Sequence, residues 1–172
     1  MGNLPAVLRT ERLLLCPLEE AHRERVTALL IHPAVGKTYM VPDFSSQEEA
    51  NALFDRLKAL SEGGERVLYA ICRDGQAVGL IHDVGMDEAG VEVGYAIHPD
   101  SWGLHIASEA LSAVTEALLT AGFACVRAAA FEGNAASLRV MEKSGMVPTG
   151  EEEWVEYRGV SRRCLCMAKK RP

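Results

Sequence analysis

Residues 91–110 form the stretch that most constrains the fold. The sequence VEVGYAIHPDSWGLHIASEA begins with a β-type run that ends at Ile97, is interrupted by Pro99, and continues after a short loop with Gly103 as an apolar-periodic helix. A helix that starts directly after a strand presents unpaired N–H groups and the positive end of its dipole to the loop. Such groups favour a bound phosphate, so we expect the ligand site at this junction.

The remaining sequence predicts strands and helices on both sides of the junction. Runs rich in β-branched residues predict strands, and apolar residues at helical spacing between capping residues predict helices. The segment 34–45 has no clear period and predicts a loop that covers something. The predicted strands are 10–18, 66–73, 77–83, 91–97, 123–131, 154–157 and 160–169, and the predicted helices are 19–31, 46–60, 106–121 and 134–144.

This order predicts an α/β fold with a mixed sheet. Antiparallel strands precede a strand-helix-strand crossover, and such a crossover joins parallel strands with a right-handed connection. We therefore expect a central seven-stranded mixed sheet flanked by about four helices. The 172 residues suffice for one domain with a full core and are too few for two, so residues 1–172 are expected to form a single domain.

Charge and cysteine content exclude several classes of protein. The net charge is −6, and the basic residues are scattered apart from the final AKKRP, so there is no concentrated basic face for nucleic acid. The five cysteines have no CxxC pair or accompanying histidine spacing, which indicates reduced thiols in a cytoplasmic protein and no metal site. Charges interrupt the N-terminal MGNLPAVLRTERLLL, so neither a signal peptide nor a membrane span is predicted.

Two motifs give the chain a family resemblance. They are EVGYAIHPDSWG-x-x-IASEAL and NAASLRVMEKSGM. With the element order, they resemble the GCN5-related N-acetyltransferases (GNAT) and, within them, the RimJ/RimL-like branch that acetylates the N-termini of ribosomal proteins. In that branch YW-G-x-G-Y-A-T-E-A and N-x-x-S-x-x-V-x-E-K-x-G-F recur. The resemblance extends from about residue 10 to residue 169 and implies a GNAT-like fold.

The resemblance implies acetyl-coenzyme A as the acyl donor. Family members hold its pyrophosphate on backbone N–H groups of the loop, its pantetheine arm and thioester oxygen on the strand before the loop, and its amide portion on an asparagine. The asparagine here also fits a plain helix cap. The implied cofactor-binding residues are Tyr95, Ala96, Ile97, Gly103, Leu104, His105, Ile106, Ala107 and Asn134.

The phosphate loop departs from the family pattern Q/R-x-x-G-x-G/A at two of its three positions, which here hold Asp100, Gly103 and His105. His105 leaves three interpretations open: a protonated donor to phosphate, an obstruction, or a side chain that points sideways while the backbone binds. Arg139 and Lys143 share one helix face and either approach the phosphates or are ordinary exposed charges.

Acetyl transfer to an amine needs an unprotonated amine, a polarised carbonyl and a proton for the departing thiolate. The resemblance implies Ser137 as the proton donor, because the alternative acid position of the family holds Met141 here. A helix-start serine that bonds only the backbone is the other interpretation. Glu92 and Glu156 are rival candidates for the general base, and a solvent-facing carboxylate is the alternative for each.

The resemblance thus implies an acyltransferase that moves the acetyl group from acetyl-CoA to a primary amine by direct transfer in a ternary complex. A catalytically weakened acyl-CoA-binding regulatory domain with the same fold is the alternative, motivated by Asp100 and His105. A third hypothesis is an interaction domain without a cofactor.

The acceptor is expected to contact residues 34–44 and the closing hairpin. Acidic residues there, Asp43 and Glu151 to Glu153, indicate a cationic amine, and a peptide N-terminus, a polyamine, and an aminoglycoside or amino-acid amine all remain open as the acceptor. We expect no nucleic acid, membrane or metal among the partners, and either a monomer or a homodimer.

Overall fold

The computed structural model describes residues 4–64 and 66–172. Short 3₁₀ turns at Glu20–His22, Val35–Lys37 and Pro99–Ser101 accompany the main elements. None of the helices in this described part is long and apolar enough to cross a membrane. The main elements are β1 (Leu8–Arg9), β2 (Leu14–Cys16), α1 (Arg23–Ile31), α2 (Gln47–Glu62), β3 (Leu68–Arg73), β4 (Gln76–Asp87), β5 (Gly90–Ile97), α3 (Ile106–Thr120), β6 (Cys125–Phe131), α4 (Ala135–Lys143), β7 (Val147–Tyr157) and β8 (Val160–Lys170).

All eight strands within the described residues form one mixed sheet in the order β1-β2-β3-β4-β5-β6-β8-β7. Only β5 and β6 are parallel, as the strand-helix-strand crossover predicts. The predicted mixed α/β sheet with four α-helices is confirmed, with eight strands instead of seven. The extra strand is β1, which lies before the predicted strand 10–18. A turn in which Thr10 N–H donates to Leu13 O at 3.0 Å folds Leu8–Arg9 back on β2, so that the predicted strand itself begins only at Leu14.

Two strands are longer than predicted because bulges absorb the residues that normally end a strand. β4 continues past Asp83 to Asp87 with a register shift near Gly85, and β7 begins at Val147 with a shift between Pro148 and Glu152. Glycine and proline are tolerated in strands at such bulges and edges.

The two faces of the sheet carry separate cores. Apolar residues of α3, such as Leu111 and Leu118, pack with Val91 and Val93 of β5 on one face. Apolar residues of α1 and α2 pack with the opposite face, which includes Ala96 of β5. Because side chains alternate along a strand, neighbouring residues of β5 point to different faces. This alternation decides which groups can meet in the site.

The sheet opens between β5 and β6. These strands pair only at Val91 with Val126 and at Glu92 with Arg127, although both continue beyond these pairs. Gly90 allows the close approach at the paired end, where a Cβ would lie 2.1 Å from the Cys125 carbonyl oxygen. The carboxyl ends of the two strands therefore diverge and leave a gap through the sheet.

The segment 34–45 covers the α1 and α2 face beside this gap, as its sequence predicts. The hydroxyl of Tyr157, at the end of β7, donates to the carbonyl of Gly36 at 2.9 Å. The next residue, Arg158, forms an ion pair with Asp43 at 2.8 Å. The β7-β8 hairpin thus holds the segment in place.

Candidate functional site

A cleft of about 610 Å³ runs through the gap between β5 and β6. One end lies at the start of α3 and against α4, and the other end lies under residues 35–40 and against β7. The junction 91–110 contributes most of β5, the loop and the first turn of α3 to its walls. The site expected at this junction therefore coincides with the cleft.

The free edge of β5 presents backbone groups to the cleft. His98 N–H donates to Val78 O of the β4 side at 2.8 Å, and hydrogen-bonded pairs alternate along an antiparallel ladder. The amide of Ala96 therefore bonds to β4, whereas the backbone groups of Tyr95 and Ile97 face the gap, where the Ile97 carbonyl already accepts from Trp102 Nε1 at 2.7 Å. Of the three backbone donors expected here, Tyr95 and Ile97 are placed for a ligand, and Ala96 contributes only to the wall.

The loop turns the chain sharply into α3. Gly103 has φ 76° and His105 has φ 60°, both in the left-handed region, and Ile106 then begins the helix. No side chain caps this end, so the N–H groups of the first turn, including Ile106 and Ala107, have no helical acceptor. Both residues line the cleft, as do Gly103 and His105. This is the geometry of an anion site at a helix N-terminus.

Basic side chains of α4 lie beside the start of α3. Lys143 Nζ lies 3.2 Å from His105 Nδ1, and Arg139 lines the same end of the cleft. The interpretation that Arg139 and Lys143 approach a phosphate site agrees with these positions. The His105 ring accepts from Lys143 and does not cap the helix, so the backbone donors of the first turn stay uncapped.

Two residues of the loop face away from the cleft. The Asp100 carboxylate pairs with Arg25 at 2.9 Å and accepts from the Ser101 hydroxyl at 2.8 Å. The hydrogen bond from Ser101 is the main cause of the lowered pKa of Asp100, and Arg25 lowers this pKa further. Leu104, which was expected to bind the cofactor, does not line the cleft, because its carbonyl accepts from Arg12 on the outer side of the loop at 3.0 Å.

Ser137 lies in the cleft together with a partner that sequence reasoning missed. Its Oγ is 2.7 Å from the Tyr95 hydroxyl, in a hydrogen bond that either oxygen can donate, and the Tyr95 hydroxyl also lies 3.2 Å from the Ser137 carbonyl oxygen. Burial raises the pKa of Tyr95 to about 12, so the phenol keeps its proton at neutral pH. Asn134 caps α4 by accepting from Ser137 N–H at 3.2 Å and donates to Thr38 O at 3.3 Å, which links α4 to the covering segment.

Glu92 and Glu153 bring two carboxylates to the opposite end of the cleft. Burial is the main cause of the raised pKa of Glu92, and the charge of Glu153 raises this pKa further. Arg127, the neighbour of Glu92 on β6, is paired with Asp87 at 2.7 Å. Within the described residues neither carboxylate forms an ion pair, so this end of the cleft is acidic.

Glu156, one of the two candidates for the general base, does not line the cleft. It is exposed and pairs with Ser161 across the hairpin, while Val155 lines the cleft. Side chains alternate along β7, so Glu153 and Val155 share the cleft face and Glu156 points to the other. The cleft carboxylate of this strand is therefore Glu153.

A second pair that sequence reasoning missed joins the covering segment to β4. The Tyr39 hydroxyl is hydrogen-bonded to His82 Nε2, and His82 Nδ1 lies 2.9 Å from the Asp83 carbonyl oxygen. Both side chains line the cleft. Their separation of 43 positions in the chain leaves no spacing signal, which is why no role was predicted for His82.

The family model of the acetyltransferase (GNAT) domain matches residues 12–147. This chain belongs to the GNAT acetyltransferase family. It is similar to the uncharacterized N-acetyltransferase YoaA of Bacillus subtilis (strain 168), with 28% identity over 149 residues that cover 84% of each protein. The resemblance stated from the two motifs is thereby confirmed, and the protein is an acyltransferase.

Solved structures of GNAT acetyltransferases show the same fold. RimL, a ribosomal L7/L12 alpha-N-protein acetyltransferase in complex with coenzyme A, has a TM-score of 0.83 at 19% identity, covering 95% of this chain and 97% of RimL. MccE, the microcin C7 self immunity acetyltransferase in complex with acetyl-CoA and AMP, has a TM-score of 0.83 at 14% identity, covering 98% of each chain. At these identities the likeness concerns the fold.

One cluster of the GNAT domain lies apart from the cleft. Cys16, His22 and Cys72 are buried with their ligand atoms within 4.8 Å of one another, a grouping that the cysteine spacing does not predict. His22 Nδ1 accepts from Glu19 N–H at 3.0 Å, so Nε2 carries the proton and lies 3.5 Å from Cys72 Sγ. In this arrangement the imidazole has no free lone pair, and the cluster is a hydrogen-bonded part of the core.

Proposed function

We propose that residues 1–172 act as a single N-acetyltransferase domain that transfers the acetyl group of acetyl-CoA to a primary amine in a ternary complex. The gap between β5 and β6 carries this proposal. It joins a helix N-terminus with basic neighbours on one face of the sheet to an acidic chamber on the other. A donor and an acceptor entering from opposite sides can thus meet without a covalent enzyme intermediate.

The residues at the basic end fit coenzyme A. The unpaired N–H groups at the start of α3 suit the pyrophosphate, with Arg139 and Lys143 beside them. The backbone groups of Tyr95 and the N–H of Ile97, whose carbonyl is occupied by Trp102 Nε1, suit the amide groups of pantetheine. RimL and MccE are themselves described in complexes with coenzyme A and acetyl-CoA, which supports this assignment.

We assign to Ser137 the role of proton donor to the departing thiolate. In this role the Tyr95 hydroxyl gives its one proton to Ser137 Oγ at 2.7 Å and not to the Ser137 carbonyl at 3.2 Å, and the serine hydrogen is then free to point into the cleft. Tyr95 is thereby a positioning residue. Because its pKa is raised to about 12, it remains a donor throughout the physiological pH range.

The acceptor amine is placed at the acidic end, under residues 35–40. Glu92 and Glu153 favour a cationic amine there, because a positive charge offsets the cost of two facing carboxylates. A peptide N-terminus satisfies the same requirement, and RimL is described as acting on the alpha-amino group of a protein. The weakened regulatory domain loses part of its support, because the Asp100 carboxylate is paired with Arg25 outside the cleft.

The test is acetyl transfer by the purified protein. Acetyl-CoA should raise the melting temperature, and thiol release should depend on an added amine, with the acetylated amine identified by mass spectrometry. Replacing Ser137 with alanine should lower kcat by about 100-fold and leave acetyl-CoA affinity unchanged. Stabilisation by acetyl-CoA without transfer to any of a panel of peptides and diamines would favour the regulatory alternative, and absence of stabilisation would favour an interaction domain.

A further inference from the structure

We propose that Tyr39 and His82 form a proton relay that takes the proton from the acceptor amine during acetyl transfer. This inference rests on the proposed function and assigns the base of that reaction to a pair distinct from Glu92 and Glu156.

The hydrogen bonds of His82 fix which nitrogen can accept a proton. Nδ1 lies 2.9 Å from the Asp83 carbonyl oxygen, which can only accept, so Nδ1 carries the hydrogen. Nε2 is then an acceptor, and the Tyr39 hydroxyl donates to it. The Tyr39 hydroxyl thus lines the cleft on one side, and on its other side it bonds to His82 Nε2, which has a lone pair that can accept a proton.

The position of the pair suits a proton taken from the acceptor. His82 lies opposite Gly94 across the β4-β5 ladder, and a Cβ on Gly94 would lie 3.3 Å from His82 Nε2. The ring therefore lies over β5 at the start of its free edge, on the face that carries Glu92. Tyr39 comes from the covering segment and closes the chamber above it.

The surroundings keep the imidazole neutral. Burial lowers the pKa of His82, and the more distant Arg66 also lowers it, while the carbonyl and charge of Asp83 act in the opposite direction. The other titratable groups of the chamber are Tyr39, whose pKa burial raises, together with Glu92 on β5, Glu153 on β7 and Cys164 on β8. His82 is consequently unprotonated at neutral pH and able to accept.

The ammonium form of the acceptor first loses one proton to solvent, so that the free amine enters the transfer step. The amine nitrogen forms a bond to the thioester carbonyl carbon and loses a proton to Tyr39 Oη, while the Tyr39 hydroxyl proton passes to His82 Nε2. The carbon-sulfur bond breaks, its electron pair leaves with sulfur, and Ser137 supplies the sulfur with a proton. His82 then releases its proton to solvent, and solvent restores that of Ser137.

Kinetics of variants of the full chain test the relay, with a serine-initiated peptide and the diamine 1,4-diaminobutane as probe acceptors. Tyr39→Phe and His82→Gln should each lower kcat by about 100-fold with little change in the KM of acetyl-CoA. The double variant should be no slower than either single variant, since both interrupt one path. Tyr69→Phe, which removes another buried hydroxyl that donates to Pro5 O, is the control and should match the wild type.

The pH profile and the tautomer separate the relay from its rivals. The apparent pKa of the acidic limb of the kcat/KM profile should lie below the range of an ordinary histidine. This limb should vanish in His82→Gln and persist in Glu92→Gln. Hydroxylamine is a weakly basic amine, so the loss of kcat with it as the acceptor should be much smaller in both relay variants.

Nitrogen NMR of His82 should show hydrogen on Nδ1 alone at neutral pH, and a hydrogen on Nε2 would overturn the relay. An unchanged kcat in His82→Gln beside normal wild-type turnover would overturn the relay alone, whereas no wild-type turnover with any probe would contradict acetyl transfer itself.

Discussion

The two ends of the cleft are built in different ways. The cofactor end is mostly one continuous piece, in which β5, the loop and α3 follow each other within residues 91–107, and α4 with the end of β6 is added from elsewhere. The acceptor end is assembled from residues 35–40, β4, β5 and β7, which are far apart in the chain. The first end is basic and the second is acidic.

This difference suits two substrates of opposite charge. A polyanionic donor is favoured where helix N–H groups and lysine converge, and a cationic acceptor is favoured where two carboxylates face each other. Each end disfavours the other substrate, so the two ligands meet only at the gap. Changing the charge at one end should therefore affect one substrate and leave the other alone.

The largest effect is expected from reversing charge at the cofactor end. Lys143→Glu should weaken acetyl-CoA binding by about tenfold or more, the order of one lost charge-assisted hydrogen bond, and the loss should shrink as salt is added. Titration calorimetry measures it. Lys58→Glu, at an i,i+4 pair with Glu62 on α2, is the matched control and should bind normally. Equal affinities in both variants would contradict a phosphate site at Lys143.

The cofactor end could be predicted from sequence because its geometry is local. Pro99 and Gly103 mark the loop, and the apolar period after Ile106 marks the helix, so the backbone donors follow from neighbouring residues alone. The mixed sheet was predictable for a related reason, since the crossover between β5 and β6 requires parallel strands. The strand β1 was missed because it has only two residues, Leu8 and Arg9, and nothing in residues 10–13 signals strongly the turn that folds it back on β2.

A smaller effect is expected at the acceptor end. Glu153→Gln should weaken the binding of the diamine acceptor, with a several-fold higher KM as expected for one exposed charge pair, without changing that of acetyl-CoA. Glu88→Gln removes the same charge in the exposed β4-β5 turn and should change neither constant. Steady-state kinetics with each substrate varied in turn measure both constants. If both variants lose diamine affinity equally, net charge and not the chamber attracts the amine.

The effect of Glu153→Gln on the melting temperature should depend on pH. The pKa of Glu92 is raised in the folded protein, so its stabilising contribution is complete below the unfolded pKa and is lost as the pH rises through the folded pKa. Removing the charge of Glu153 lowers that folded pKa. Glu153→Gln should therefore raise the melting temperature at pH 7.5 and leave it unchanged near pH 4, where Glu92 is protonated.

The acceptor end could not be predicted in the same way because its members meet only through strand register and loop packing. Glu153 and Glu156 look equivalent in an acidic run, and only the bulge between Pro148 and Glu152, with the alternation that follows it, decides which one faces the cleft. Tyr39 and His82 meet because the hairpin holds the covering segment. No residue near either of them signals that contact.

The smallest effect is expected at His105, the residue where the basic end departs from its family pattern. A side chain with φ 60° costs about 1 kcal/mol relative to glycine, so His105→Gly should raise the melting temperature by about 2–4 °C. Acetyl-CoA affinity should change far less than in Lys143→Glu, because the ring bonds to Lys143 at the side of the helix start. His105→Ala keeps the strained backbone and removes the ring, so it should share the affinity of the glycine variant without its stability. A large gain in affinity in both variants would show that the ring obstructs the phosphates, and a large loss in both would show that it donates to them.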